Sequence, residues 1–185
     1  MGFKEDRTEN SRDDWETPDN LFANLNTAFK FKVDVCANEK NYKCEHYYSE
    51  EQDGLEQDWS EYSGAAWCNP PYSKVKEWLQ KAQREADNNG VTTVCLVAAR
   101  PDTTYWHDII FRHARAICFI RGRLQFMGAK WKACFPSALV VFSPAPLEYG
   151  QIKTLAGHGQ LVVGGLTVRV EECTAADRRE GNASA

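Results

Sequence analysis

Apolar positions recur at helical spacing from Leu21 and Phe22 through Leu25 to Phe29, directly after Thr17-Pro18-Asp19. A hydroxyl side chain followed by proline reads as a helix start, with Thr17 as the cap and Pro18 at the first helical position. The run 31–37, FKVDVCA, is short, β-type and followed by a polar turn, which predicts a strand. From 38 to 64 the chain is polar and irregular, unusually long for a loop in a compact domain. The run 65–69, AAWCN, predicts a second strand. Ser73 then stands in a capping position before a helix with Val75, Trp78, Leu79 and Ala82 on one side, closed by Gly90. Beyond it the pattern predicts a buried strand over 92–99, a helix over 102–114 and strands over 116–122 and 138–144. A hairpin over 160–170 is expected to turn at Gly164-Gly165.

Strands alternating with helices imply an α/β fold, a mostly parallel central sheet flanked by helices. In such sheets ligands bind beyond the carboxyl ends of the strands, which puts the turns after 31–37 and 65–69 on one rim. The ends of the chain lack apolar periodicity. The expected organisation is therefore a disordered tail over 1–13, a single domain over 14–170 and a disordered tail over 171–185.

A chain of 185 residues is long enough for one full core and short for two. No apolar run approaches the ~20 residues needed to cross a bilayer, and the polar N-terminus has no signal-peptide core. A cytoplasmic protein with no membrane association is expected. The seven cysteines form no CxxC pair and several lie in apolar runs, as expected of buried hydrophobes in a reducing compartment. Cys36, Cys44 and His46 match no common zinc spacing, so no metal site is expected. The net charge of −4 argues against a uniformly basic nucleic-acid binder. The segment 100–132, however, carries seven basic residues against two acidic ones, and one basic face is enough to engage DNA.

Chemistry concentrates in Asn69-Pro70-Pro71-Tyr72, immediately after the strand AAWC. Two prolines remove two backbone donors and fix two φ angles, so the turn is stiff and its carbonyls point outward. Asn69 adds a side-chain acceptor and Tyr72 an aromatic plate. Two acceptors and a π-face suit a planar amine on a heterocycle such as adenine, whose lone pair is delocalised into the ring. Holding both amine hydrogens favours a pyramidal nitrogen and stabilises the positive charge that develops there, without a strong general base. A base inside a duplex is inaccessible, so the target must be flipped out.

These motifs together resemble the phage- and prophage-type DNA adenine-N6 methyltransferases of the Dam family, with the class I, Rossmann-like S-adenosylmethionine-dependent fold. The resemblance spans about 15–144. It rests on Trp15-Glu16-Thr17-Pro18, Val33-Asp34-Val35-Cys36-Ala37, Gly54-Leu55-Glu56-Gln57-Asp58-Trp59 and Trp67-Cys68-Asn69-Pro70-Pro71-Tyr72. Arg100-Pro101-Asp102-Thr103, Gly122-Arg123-Leu124-Gln125-Phe126 and Phe135-Pro136-Ser137-Ala138 complete it. It implies S-adenosylmethionine as cofactor, held by Trp15, Thr17, Pro18, Asp34, Ala37, Asp58 and Asn69. Asp34 would take the donor's ammonium group and Asp58 its adenine amino group. Catalysis would fall to Asn69, Pro70, Pro71 and Tyr72. Double-stranded DNA would meet Ser73, Lys74, Arg100, Asp102, Thr103, Arg121, Arg123, Lys130 and Lys132, with no obligate protein partner. Two features depart from the class I pattern: no glycine-rich loop follows the first strand, and the ribose-binding acid is not identifiable, Glu39 being a weak candidate. Two alternatives stand beside this reading. One is methylation of another planar amine, on cytosine, RNA or protein glutamine. The other is an inactive DNA-binding module, for which Asn69 would be dispensable.

Overall fold

The computed structural model describes residues 15–164 and 166–168. Both predicted tails fall almost wholly outside these residues, as does Cys173. Among the described residues eight strands form one sheet: β1 (Phe31–Asp34), β2 (His46–Tyr47), β3 (Ala65–Cys68), β4 (Thr93–Ala98), β5 (Ala116–Ile120), β6 (Ser137–Phe142), β7 (Gly159–Val163) and β8 (Leu166–Val168). Their order across the sheet is β2-β1-β3-β4-β6-β5-β7-β8. The pairs β2-β1, β1-β3 and β3-β4 are parallel. Because β6 is antiparallel to both β4 and β5, β5 runs the same way as β4. Only β6 and β7 among the described strands run against the rest. The sheet is thus mostly parallel, as the alternating pattern predicts, with β6 inserted between two strands of the major direction.

Among the described residues four helices cover it: α1 (Asp19–Phe29), α2 (Val75–Asn89), α3 (Phe111–His113) and α4 (Tyr149–His158). A π-helical turn, Trp106–Ile110, leads into α3. Strands buried on both faces read as continuous apolar runs, and β4 and β6 are buried at every position. Alternate residues feed two cores. Trp67, Val94, Leu96 and Leu139 pack with Leu21, Phe22, Leu25 and Phe29 of α1 and with Leu155 of α4. Ala66, Cys68, Cys95, Val97 and Val140 pack with Trp78, Leu79 and Ala82 of α2 and with Trp106. Cys44, Cys68, Cys95 and Cys118 are buried and unpaired, the small-hydrophobe role expected of them, whereas Cys134 is exposed.

Both predicted caps are displaced by one residue. Pro18, not Thr17, holds the N-cap position of α1, and its carbonyl accepts from the N–H groups of Leu21 and Phe22. Ser73 lies inside a 3-10 turn, Tyr72–Lys74, closed by the Lys74 N–H donating to the Pro71 carbonyl, so Lys74 precedes α2. Gly90 ends α2 at φ 73°, a left-handed conformation that glycine adopts without strain. The helix α4 and the strand β2 are not anticipated by the hydrophobic pattern. No described helix is long and apolar enough to cross a membrane.

Candidate active site

The strand directions define one rim. β1 ends there at Asp34, β3 at Cys68 before Asn69, β4 at Ala98 before Arg100, and β5 at Ile120 before Arg121. β6 runs the other way and begins there, with Ser137 opposite Ala98, so the whole segment 121–136 rises from the same rim. This agrees with the general placement of ligand sites at the carboxyl ends of parallel strands.

A cavity of about 550 Å³ opens beside β1 and β3 and includes Trp15, Thr17, Asp34, Ala37 and Asn69 in its wall. That volume lies within the range of small-molecule sites. Five of the seven residues expected to bind a cofactor therefore share one cavity. Pro18 is turned to a neighbouring depression formed with 125–130. Asp58 lies elsewhere too. It is exposed and caps the 3-10 turn Trp59–Glu61, its Oδ1 accepting from the N–H and the hydroxyl of Ser60 at 2.9 and 2.6 Å. Those bonds hold its carboxyl below the usual range and use it locally. Asp58 is a turn residue in this fold, not a wall of the cavity.

Asp34 is buried, with Oδ1 accepting from the Cys36 N–H at 3.3 Å and Oδ2 from the Lys43 N–H at 3.1 Å. Burial pushes its carboxyl up to about 7, against the lowering effect of those two bonds and of the Lys43 charge. Lys43 is itself tied to Glu16 and Asp19 at 3.1 and 2.6 Å, clamping the polar segment against the start of α1.

The first glycine after β1 in the sequence is Gly54, and it packs back against the end of that strand. Gly54 packs so closely on the end of β1 that a Cβ added there would stand 2.1 Å from the Val35 carbonyl oxygen and 3.0 Å from the Trp78 ring. Its carbonyl accepts from the buried Trp59 indole N–H at 2.7 Å. Gly54→Ala is expected to force the 50–58 segment off β1 and to cost about 1–3 kcal/mol, the usual range for overpacking. Urea denaturation with an unchanged midpoint would contradict this.

The Asn69 amide is fixed by its Nδ2 donating to the Trp15 carbonyl. Its Oδ1 is buried and has no partner among the described residues. The indole N–H groups of Trp67 and Trp78, both in the cavity wall, are likewise buried and without a partner among the described residues. Polar atoms so placed cost free energy unless a ligand satisfies them. Pro70 is buried beneath the turn. The Tyr72 ring meets Phe135 edge-on at 5.2 Å, and Phe135 and Phe126 both pack on Trp15. Burial and the neighbouring Tyr105 push the Tyr72 hydroxyl well above its ordinary range, so it stays neutral.

Sequence reasoning missed the far wall. Ser49, Glu50 and Asp53 also border the cavity, supplied by the polar segment after β2. Glu39, the acid considered from sequence, does not border it. The signal for Glu50 is pairing of His46 with Val33, a long-range register that no local pattern encodes. Of the expected DNA-contacting residues, Ser73 and Lys74 stand at the cavity edge. Arg100, Asp102, Arg121, Arg123, Lys130 and Lys132 are exposed along the rim loops, whereas the Thr103 hydroxyl donates to the Arg100 carbonyl and stabilises its turn.

An α/β sheet with a polar cavity at its carboxyl rim, bordered by an Asn-Pro-Pro-Tyr turn, defines a methyltransferase-like protein. Comparison with protein families matches residues 4–150 to the family described as DNA N-6-adenine-methyltransferase (Dam). The chain belongs to that family and is a DNA adenine methyltransferase, transferring a methyl group to the N6 amine. Among curated proteins, it is 31% identical to the DNA N-6-adenine-methyltransferase of Haemophilus phage HP1 over 163 residues, covering 83% of this chain and 91% of the relative. It is 32% identical over 114 residues to the DNA N-6-adenine-methyltransferase of Escherichia phage T1, covering 61% of this chain and 47% of the relative. It is also 46% identical over 65 residues to the putative methyltransferase YfdM of Escherichia coli K12, covering 32% of this chain and 71% of that protein.

Proposed function

We propose that the cavity beside β1 and β3 binds S-adenosylmethionine and that the Asn69 turn receives an adenine flipped out of double-stranded DNA. The observation that carries this reading is the Asn69 side chain: one end is tethered to Trp15, and the other is a buried acceptor without a partner among the described residues. The donor set of the cavity fits the cofactor. Asp34 and Glu16 offer carboxylates for an ammonium group, and the Thr17 hydroxyl offers a partner for a carboxylate at the start of α1. Glu50 suits a vicinal diol, and the Trp67 and Trp78 indoles offer N–H groups and flat faces. Bound there, S-adenosylmethionine supplies a methyl group activated by a sulfonium centre.

The chain's own residues handle the base. Asn69 Oδ1 and the Pro70 carbonyl each accept a hydrogen from the exocyclic amine, turning the nitrogen lone pair out of the ring plane. Their dipoles are aligned before the reaction and stabilise the charge as it develops. Tyr72, neutral and braced by Phe135, supports the base by ring contact. The surplus proton leaves the charged nitrogen for solvent, so no catalytic base is needed. The exposed arginines and lysines of the rim loops take the phosphates. In the cytoplasm of a bacterial host, such an enzyme would protect phage or prophage DNA from restriction.

Two measurements bear on this. Expression in a bacterium lacking adenine methylation, followed by sequencing that reports modified bases, should reveal N6-methyladenine in a shared motif; a genome without modified adenine would sink the proposal. Asp58→Ala is expected to leave S-adenosylmethionine affinity unchanged by calorimetry, because Asp58 is spent on Ser60. A large loss would return Asp58 to the cofactor site.

A further inference from the structure

The segment 121–136 joins two strand ends on the active-site rim, and its two sides differ sharply. Its inner side is fixed. Phe126, Ala133 and Phe135 are buried, the Ala133 N–H donates to the Leu124 carbonyl at 2.7 Å, and the Met127 N–H donates to the Glu16 carbonyl at 2.9 Å. Through Phe135 it leans on Tyr72 of the catalytic turn. Its outer side carries Trp131 with 75% of its surface exposed, the most exposed of the large hydrophobic residues described. Lys130 and Lys132 flank it, and the Lys130 ammonium lies 5.5 Å from the indole centroid.

An indole left in water forgoes a burial that would ordinarily stabilise the fold, and here no core residue needs it. Its setting matches the needs of a duplex that has lost a base from its stack. Unstacking leaves a gap of aromatic thickness between base pairs, bordered by phosphates on both strands. A planar apolar wedge with a cation on either side fits that gap, and side chains inserted between base steps are a recurrent device for distorting DNA.

We propose that Trp131 is a positioning residue that enters the duplex where the target adenine leaves it, with Lys130 and Lys132 on the neighbouring phosphates. This rests on the DNA-flipping reading above. Trp131 and Phe135 belong to the same segment, and Phe135 meets Tyr72, so one stretch of chain joins the wedge to the turn that receives the base. Trp131 does not touch the reacting atoms; it stabilises the extruded state.

The test uses the full chain with duplex oligonucleotides carrying the motif found in the methylated genome, and compares a matched target with one whose adenine lies opposite an abasic site. Removing the pairing partner lowers the cost of extrusion, so a wedge matters less there. Trp131→Ala is expected to lower kcat/KM on matched duplex by about 10- to 100-fold, equivalent to the few kcal/mol of an unstacked step. On the abasic-opposed duplex it should act at nearly the wild-type rate, and Trp131→Phe should recover most activity on both. With 2-aminopurine at the target position, the fluorescence rise on binding should be lost in Trp131→Ala and kept in Trp131→Phe. Full activity of Trp131→Ala on matched duplex overturns the proposal, and so does an equal loss on both substrates, which would mark a general binding or folding defect. A wild-type protein that methylates neither duplex instead removes the underlying reading.

Discussion

Asn69→Ala is expected to lower methyl transfer by about 10²–10³-fold, the effect of removing one preorganised group that meets developing charge. The loss should fall on kcat, because Oδ1 is engaged most strongly when the amine carries charge. Binding of DNA should persist, since the exposed cations of 100–132 are untouched. A second effect follows from the tether: without the Nδ2 bond to the Trp15 carbonyl, the wall formed by Trp15 loosens and cofactor affinity falls modestly. Asn69→Asp separates the two. It keeps an acceptor toward the base but sets a carboxylate oxygen against the Trp15 carbonyl, so it should weaken cofactor binding more than alanine does. A tritium-transfer assay with calorimetry on the same variants reads both quantities. Equal transfer by Asn69→Ala and the native chain would remove the mechanism.

The candidate turn at Asn69 was legible because its chemistry is contiguous: an acceptor, two prolines and an aromatic ring in sequence after an apolar strand. Asp34 was legible because a strand end in a parallel sheet is a ligand position whatever follows it. Contacts made across the chain were harder to read. β2 has two residues, and its existence depends on pairing with β1, so nothing local announces it or the carboxylate of Glu50 beyond it. Gly54 reaches the end of β1 from a distant turn, and only the closeness of the Val35 carbonyl explains why a glycine stands there. The caps failed for a tertiary reason. Thr17 is drawn into the cavity wall, 2% exposed, so its hydroxyl is not given to the helix it precedes. α4 does carry a local signal, the reciprocal pair of Glu148 and Gln151 at its start, but its sparse apolar spacing and two glycines hide it.

Asp34, as the proposed partner of the cofactor's ammonium group, is expected to set stability and cofactor affinity in opposition as pH changes. Its carboxyl ordinarily titrates at 3.8 and is raised to about 7 by burial, so the folded chain binds a proton there that the unfolded chain has released. The contribution of this group to stability is therefore fully present below 3.8 and is lost as pH rises through 7. Binding an ammonium group requires the opposite state, the carboxylate. Affinity for S-adenosylmethionine should accordingly rise as pH increases through 7, by up to tenfold per unit on the acid side. Bound cofactor should pull the Asp34 titration downward, and calorimetry below pH 7 should show protons released on binding. Asp34→Asn is expected to flatten both profiles and to cost at least about tenfold in affinity at pH 8, since a neutral amide cannot pair with the ammonium. It also places an amide N–H group against one of the two backbone donors, Cys36 or Lys43, so some stability is lost with it. The pH profile separates the causes: a merely structural Asp34 would leave the slope of affinity against pH unchanged in Asp34→Asn, whereas loss of that slope assigns the ammonium contact to this carboxylate.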